Sequence, residues 1–271
     1  MIDTPVPADQ AAHMCLISVN WRAHPRYELV LAANRDEFHH RPTTAAGWWA
    51  DAPEVFGGRD LLQGGSWLAV NRERRLAAVT NVRRMVQPDP NAPSRGALVA
   101  DFMRSTQSAA EFSKRLRGRA GAYAGFNLLL YDGETLLYAT NHDGFNSERL
   151  APGIHAVSNA ALDTPWPKLV KLRKAMRDWS TQSPSDDNLL FAALADDHVA
   201  RDTELPDTGV GIELERLLSP AFIRGPQYGT RASSVITLNA HGALSFSERR
   251  FGPNGLPAGE TRETFATVSR G

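Results

Sequence analysis

Apolar runs along this chain come in pairs separated by a few polar or turn-forming residues, a pattern that predicts β-hairpins. The first pair is Cys15–Trp21 and Tyr27–Ala33, parted by Arg22–Arg26 with His24 and Pro25. A second pair, Ser66–Val70 and Leu76–Val82, turns at the polar stretch Asn71–Arg75. The third, Phe126–Tyr131 and Thr135–Thr140, turns at Asp132-Gly133-Glu134. Ile154–Ser158 reads as a short strand. Ser233–Leu238 and Ala243–Phe251 read as two closing strands about Ala240-His241-Gly242. Between the hairpins the period changes. Apolar residues at 166, 169, 172, 176 and 179 mark one face of a helix over Trp166–Trp179. Ser94–Ser105, with Ser94 as N-cap, Ser108–Leu116 and Asp186–Asp197 read as further helices. Leu205–Gly229 reads as a Pro/Gly-rich loop. Hairpins with paired helices between them are not a βαβ alternation. They predict an α+β fold of two mainly antiparallel sheets covered by helices.

With 271 residues and 42% apolar composition, the chain can bury a sizeable core. Lys plus Arg and Asp plus Glu both number 30, so there is no electrostatic footprint for nucleic acid or an anionic membrane. The short basic runs Arg72–Arg75, Arg83–Arg84 and Arg249–Arg250 are expected to be solvated surface. No run approaches the roughly 20 apolar residues of a membrane span. Residues 1–13 have neither a cationic start nor an apolar segment, so they read as a disordered leader rather than a secretory signal. Residues 14–271 are expected to form a single domain, and the expected compartment is cytoplasmic. The lone cysteine excludes an internal disulfide and a thiolate-rich zinc site. No motif calls for a metal or cofactor: there is no P-loop, GxGxxG, GxSxG, HExxH or CxxCH. Nothing in the sequence specifies an oligomeric state.

That cysteine, Cys15, opens the first strand directly after Met14. An N-terminal cysteine carries its own base, because an α-amine pKa of about 7.7–8.0 lies close to the roughly 8.5 of a thiol. A buried strand thiol is the alternative. Asn34-Arg35-Asp36-Glu37 at the end of the second strand reads by itself as a solvated turn. The pairs Gly57-Gly58 and Gly64-Gly65 allow tight turns and close backbone approach. Asn81 and Asn159 each close a strand. Either can donate to an oxyanion or simply form a turn.

Taken together these residues resemble the NRDE family, named for its Asn-Arg-Asp-Glu motif and including the transport and Golgi organisation 2 group. The matching blocks are Met14-Cys15; Ala33 to Phe38 with Arg41-Pro42; Gly57 to Asp60 through Gly64 to Leu68; Ala78 to Asn81; and Val157 to Ala160 with Asp163 to Lys168. A weaker block is Tyr228 to Arg231 with Ser233 to Val235. They span nearly all of residues 14–251. The resemblance implies an N-terminal-nucleophile hydrolase fold, a four-layer αββα sandwich, similar to that of cysteine amidases. It implies Cys15 as nucleophile, Asp36 as the orienting acid, Asn81 and Asn159 as oxyanion donors and Arg231 as a charge stabiliser. Asn34, Arg35, Arg59, Asp60 and Trp67 would line the substrate site. Asp36 has pinning of the turn as its alternative, Arg35 a pair with Glu37, and Arg59 and Asp60 an ion pair between loops. Those amidases carry an arginine three residues before the aspartate, where this chain has Ala33. Their mechanism also requires that Met14 start the chain or that the chain be cut after it.

Two functions follow as expectations. One is a cysteine hydrolase or acyltransferase acting on an amide or thioester of a small acyl compound. The other is a non-catalytic carrier of haem or an acyl lipid on the same fold, with His39–His40 and Trp48–Trp49 serving its pocket. Core packing is the alternative for the tryptophans.

Overall fold

The computed structural model describes residues 14–83, 89, 91–182 and 186–268; the expected leader lies outside them. The first hairpin forms as the sequence predicts, from β1 (Met14–Trp21) and β2 (Tyr27–Phe38), but β2 runs past Ala33. The motif Asn34-Arg35-Asp36-Glu37 is strand rather than solvated turn. It is hydrogen-bonded on one side to β1 and on the other to β11 (Tyr228–Asn239), so its backbone polar groups are satisfied inside the sheet.

Two further strands, β12 (Ala243–Phe251) and β13 (Pro257–Ala266), continue that sheet, and β10 (Gly153–Val157) pairs with the outer side of β1. The order is β10-β1-β2-β11-β12-β13. The second sheet has the order β3-β4-β5-β6-β7-β8-β9. It contains β3 (Gly47–Trp49), β4 (Ala52–Gly57), β5 (Leu68–Asn71), β6 (Leu76–Asn81), β7 (Phe126–Tyr131), β8 (Leu136–Thr140) and β9 (Asn146–Arg149). Neighbouring strands are antiparallel throughout. The expected loop at 205–229 contains α5 (Ile212–Leu217), and β13 follows what the sequence reads as the last strand. Strand β13 is an exposed edge whose side chains show little apolar alternation, which is why sequence patterning misses it.

Burial divides the molecule into four layers. Inward-facing residues of both sheets, among them Ile17, Leu31, Val70, Leu129 and Phe246, fill the space between them. The outer face of the second sheet packs on α1 (Arg95–Arg104) and α2 (Ala109–Arg117). The outer face of the first sheet packs on α3 (Pro167–Ser180) and α4 (Asp187–Leu194). The result is an αββα sandwich. The cap read from the sequence is in place, with Ser94 accepting from the Gly96 N–H, and the structure adds a reciprocal capping box of Ser108 with Glu111. No helix of the described residues is long and apolar enough to cross a membrane.

In two of the basic runs one arginine is buried rather than solvated, while Arg84 lies outside the described residues. Arg75 is buried and donates to the carbonyls of Phe102 (3.1 Å) and Gln107 (2.8 Å), satisfying the end of α1. Arg83 is buried in an ion pair with Glu215 at 2.5 Å. A guanidinium goes inside when fixed acceptors replace its water. Trp49 is core and donates to the Gly57 carbonyl at 2.9 Å, while Trp48 packs edge-on against Phe56.

Candidate functional site at the start of the first strand

A cavity of about 420 Å³ opens at the end of the sandwich where β1 begins, and Cys15, Asp36 and Asn81 are in its wall. Strand pairing creates this meeting: Cys15 stands opposite Arg35, and Met14 opposite Asp36. The alternation of β2 then sorts the motif by face. Asn34 is fully buried and points at the helix layer, donating to the Leu194 and Ala221 carbonyls (2.8 and 2.7 Å) and accepting from Ser233 (2.6 Å). It does not line the cavity, so its expected place in a substrate site is corrected: it is a clamp between β2, β11, the end of α4 and the segment after α5. Arg35 and Glu37 share the cavity wall as an ion pair at 3.3 Å.

Asp36 is buried and accepts from the Thr230 hydroxyl at 2.6 Å through Oδ1, while Oδ2 is buried without a hydrogen-bond partner among the described residues. Burial raises its pKa to about 6, opposed by the cationic Lys168. Lys168, from the first turn of α3, is itself buried and donates to the Leu218 carbonyl at 2.9 Å. Burial and the neighbouring Arg83 bring it down to about 8. The Cys15 thiol is pushed up to about 12, chiefly by burial and then by the Asp36 charge. With Met14 joined to it, the Cys15 nitrogen is an amide. Met14 is held firmly: its N–H donates to Tyr228 Oη at 3.2 Å, its sulfur lies 3.3 Å from an Arg83 nitrogen, and Leu218 and Ile223 pack around it.

The two asparagines meet across the sheets. Asn159 donates through its amide to the Asn81 carbonyl at 2.9 Å and accepts from Ser158, whose hydroxyl also donates to the Cys15 carbonyl. Asn81 lines the cavity; Asn159 stands behind it as a brace. Arg231 occupies an irregularity in the β2–β11 pairing and lines the cavity, with Nη1 donating to the Phe38 and Arg41 carbonyls (3.0 and 2.9 Å).

Arg59, Asp60 and Trp67 also line the cavity. The expected ion pair between Arg59 and Asp60 is corrected. Arg59 pairs with Asp51 at 2.7 Å, and Asp60 pairs with Arg41 at 2.5 Å. Arg41, Asp89, Arg95, Glu248 and Arg250 complete the charged lining and carry no assigned role in the sequence. Arg95 gets there because Gly65 and Gly96 touch: a Cβ on Gly65 would overlap the Gly96 backbone. None of the described histidines lines the cavity; His39, for instance, lies near the Gly225 carbonyl at 3.2 Å.

Among solved structures, the chain resembles an N-acylethanolamine-hydrolyzing acid amidase ortholog of Caenorhabditis elegans. The TM-score is 0.50 over 82% of this chain and 92% of that one, at 8% identity, a likeness of fold. In sequence it is 35% identical to the transport and Golgi organization protein 2 homolog of Bos taurus, over 87% of this chain and 92% of the relative. It is 33% identical to the Homo sapiens homolog, over 92% and 97%. The family profile described as transport and Golgi organisation 2 matches residues 14–253, a span that carries the cavity wall from Cys15 to Phe251. The chain therefore belongs to the transport and Golgi organisation 2 family.

Proposed function

We propose that this protein is a cysteine N-terminal-nucleophile hydrolase or acyltransferase that acts on the amide or thioester of a small acyl compound once Cys15 has a free amine. The observation that carries this reading is the position of Asp36. Its buried, unpartnered Oδ2 belongs to the residue paired with Met14, one position from the Cys15 nitrogen. Cleavage before Cys15 would turn that nitrogen into an ammonium or amine, and an ionised Asp36 would supply the charge to hold it.

In the reaction, the Cys15 amine takes the thiol proton as sulfur attacks the acyl carbonyl. Asn81, in the cavity wall, supplies the donor to the oxygen that becomes negative. Collapse breaks the bond to the leaving amine or thiol, which departs with the proton held by the ammonium, and leaves a thioester on Cys15. Attack by water, losing its proton to the same amine, returns the carboxylic acid and the free thiol. A different acceptor nucleophile would give acyl transfer.

The test is a comparison of the chain beginning at Cys15 with one retaining Met14, against acyl anilides, together with Cys15→Ala and the mass of the native N-terminus. Turnover confined to the chain that begins at Cys15 is the expected result. Equal turnover by Cys15→Ala, or a native protein that keeps Met14 attached, overturns the reading.

One observation favours a second reading. With Met14 in place the thiol is held near 12 and the nitrogen is an amide, yet the cavity is formed. In that state the chain is a small-molecule binding protein, and haem would find no described imidazole in the cavity wall.

A further inference from the structure

Among the described residues, six arginines line the cavity: Arg35, Arg41, Arg59, Arg95, Arg231 and Arg250. Four of them are matched by carboxylates. Glu37 serves Arg35 (3.3 Å), Asp60 serves Arg41 (2.5 Å), Asp51 serves Arg59 (2.7 Å) and Glu248 serves Arg250 (3.4 Å). The other two have no carboxylate in ion-pairing range among the described residues. Among the described residues, the Arg95 guanidinium donates to the Gly125 carbonyl at 3.3 Å. Arg231 is held by the Phe38 and Arg41 carbonyls, with the Thr43 hydroxyl at 3.4 Å. Neutral acceptors fix a guanidinium without cancelling its charge.

The contrast matters because placing a cation in a partly desolvated cavity is costly unless an anion meets it. Burial lowers Arg95 to about 10, and Cys15 and Glu37 only partly oppose this. Arg95 is also held in place by construction. It begins α1, and α1 is seated by the Gly65–Gly96 contact against the loop that carries Asp60 and Trp67. A freely moving surface arginine would not need that contact.

From this charge balance we propose that the cavity takes an acyl compound bearing an oxyanion, a carboxylate or a phosphate, which Arg95 receives with Arg231 beside it while the acyl carbonyl lies at Cys15. The assignment rests on the reading of Cys15 as the reacting group, but the anion site stands or falls separately. Guanidinium groups present paired N–H donors that match both oxyanions.

Binding can be measured without turnover in the full chain carrying Cys15→Ala, by calorimetry with three probes: glutaryl p-nitroanilide, its methyl ester and the 4-phosphonobutyryl analogue. At least one anionic probe should bind about tenfold or more tightly than the ester. Whichever anion binds better identifies the carboxylate or the phosphate class. Arg95→Gln should remove most of that preference, and Arg95→Lys should keep part of it. Equal binding of all three probes to the Cys15→Ala chain overturns the inference, and this result needs no Arg95 variant to fold. A preference that survives Arg95→Gln in a folded protein overturns the role of Arg95. If the preference holds but the chain beginning at Cys15 cleaves none of the probes, the anion site stands and the hydrolase reading falls.

Discussion

The Asn159 side-chain amide donates to the main-chain carbonyl of Asn81 at 2.9 Å, tying the residue that ends β6 in one sheet to the segment after β10 in the other. Two more bonds reinforce the tie: Thr80 Oγ1 donates to the Ser158 carbonyl at 2.5 Å, and the Arg83 N–H to the Asn159 carbonyl at 2.8 Å. Because Ser158 also donates to the Cys15 carbonyl, the sheets are locked together beside the thiol. Asn159→Ala removes the donor to a buried carbonyl and should cost about 1–3 kcal/mol in denaturant unfolding. A change within a few tenths would mean that water replaces the amide at no loss.

Arg83 and Glu215 form an ion pair in which each side chain is only 4% exposed, so neither charge has water to fall back on. Glu215→Gln leaves a buried guanidinium without its counter-charge and should destabilise by about 3–5 kcal/mol. The double substitution Arg83→Met with Glu215→Leu should recover much of that loss. Unfolding midpoints of the two variants decide it; equal losses for the single and double variants would contradict this account.

Asp36 supplies a pH signature. Burial raises its folded pKa to about 6 from an ordinary 3.8. The native state therefore binds this proton more tightly than the unfolded chain does. The stability so gained is full below about 3.8 and is lost as pH rises through about 6. Asp36→Asn cannot titrate, so the stability of the natural protein minus that of the variant should fall across this interval. A difference that rises with pH would show instead that Lys168 outweighs burial.

The Cys15 thiol, held at about 12 with Met14 attached, should alkylate slowly at neutral pH. Its iodoacetamide rate should climb about tenfold per pH unit without levelling off in the ordinary thiol range. Mass spectrometry follows the single cysteine directly. A plateau near pH 8.5 would mean that the thiol is solvated.

Gly65→Ala would drive a methyl group into the Gly96 backbone at the start of α1. Backbone cannot rotate away as a side chain can, so a loss of about 1–3 kcal/mol is expected, with weaker binding in the cavity where Arg95 is displaced. Full stability in the variant would show that α1 can shift at no cost.

Sequence by itself determined the parts of this protein set by local pattern and by motif. The apolar runs of β1, β7 and β8, the helical period of α3 and the caps at Ser94 and Ser108 are written within a few residues of where they act. The order of the motif blocks brought Cys15, Asp36 and Asn81 together on paper, and the fold brings them to one cavity. Tertiary structure decided what depends on distant partners. Only pairing with both β1 and β11 makes Asn34 to Glu37 a strand, and only that strand's pleat sends Asn34 to the helices and Arg35 to the cavity. Arg59 and Asp60, adjacent in sequence, take separate partners because their side chains diverge. Arg95 has no local signal at all. A backbone contact between two glycines 31 positions apart places it, and close approach leaves no mark in hydrophobic periodicity.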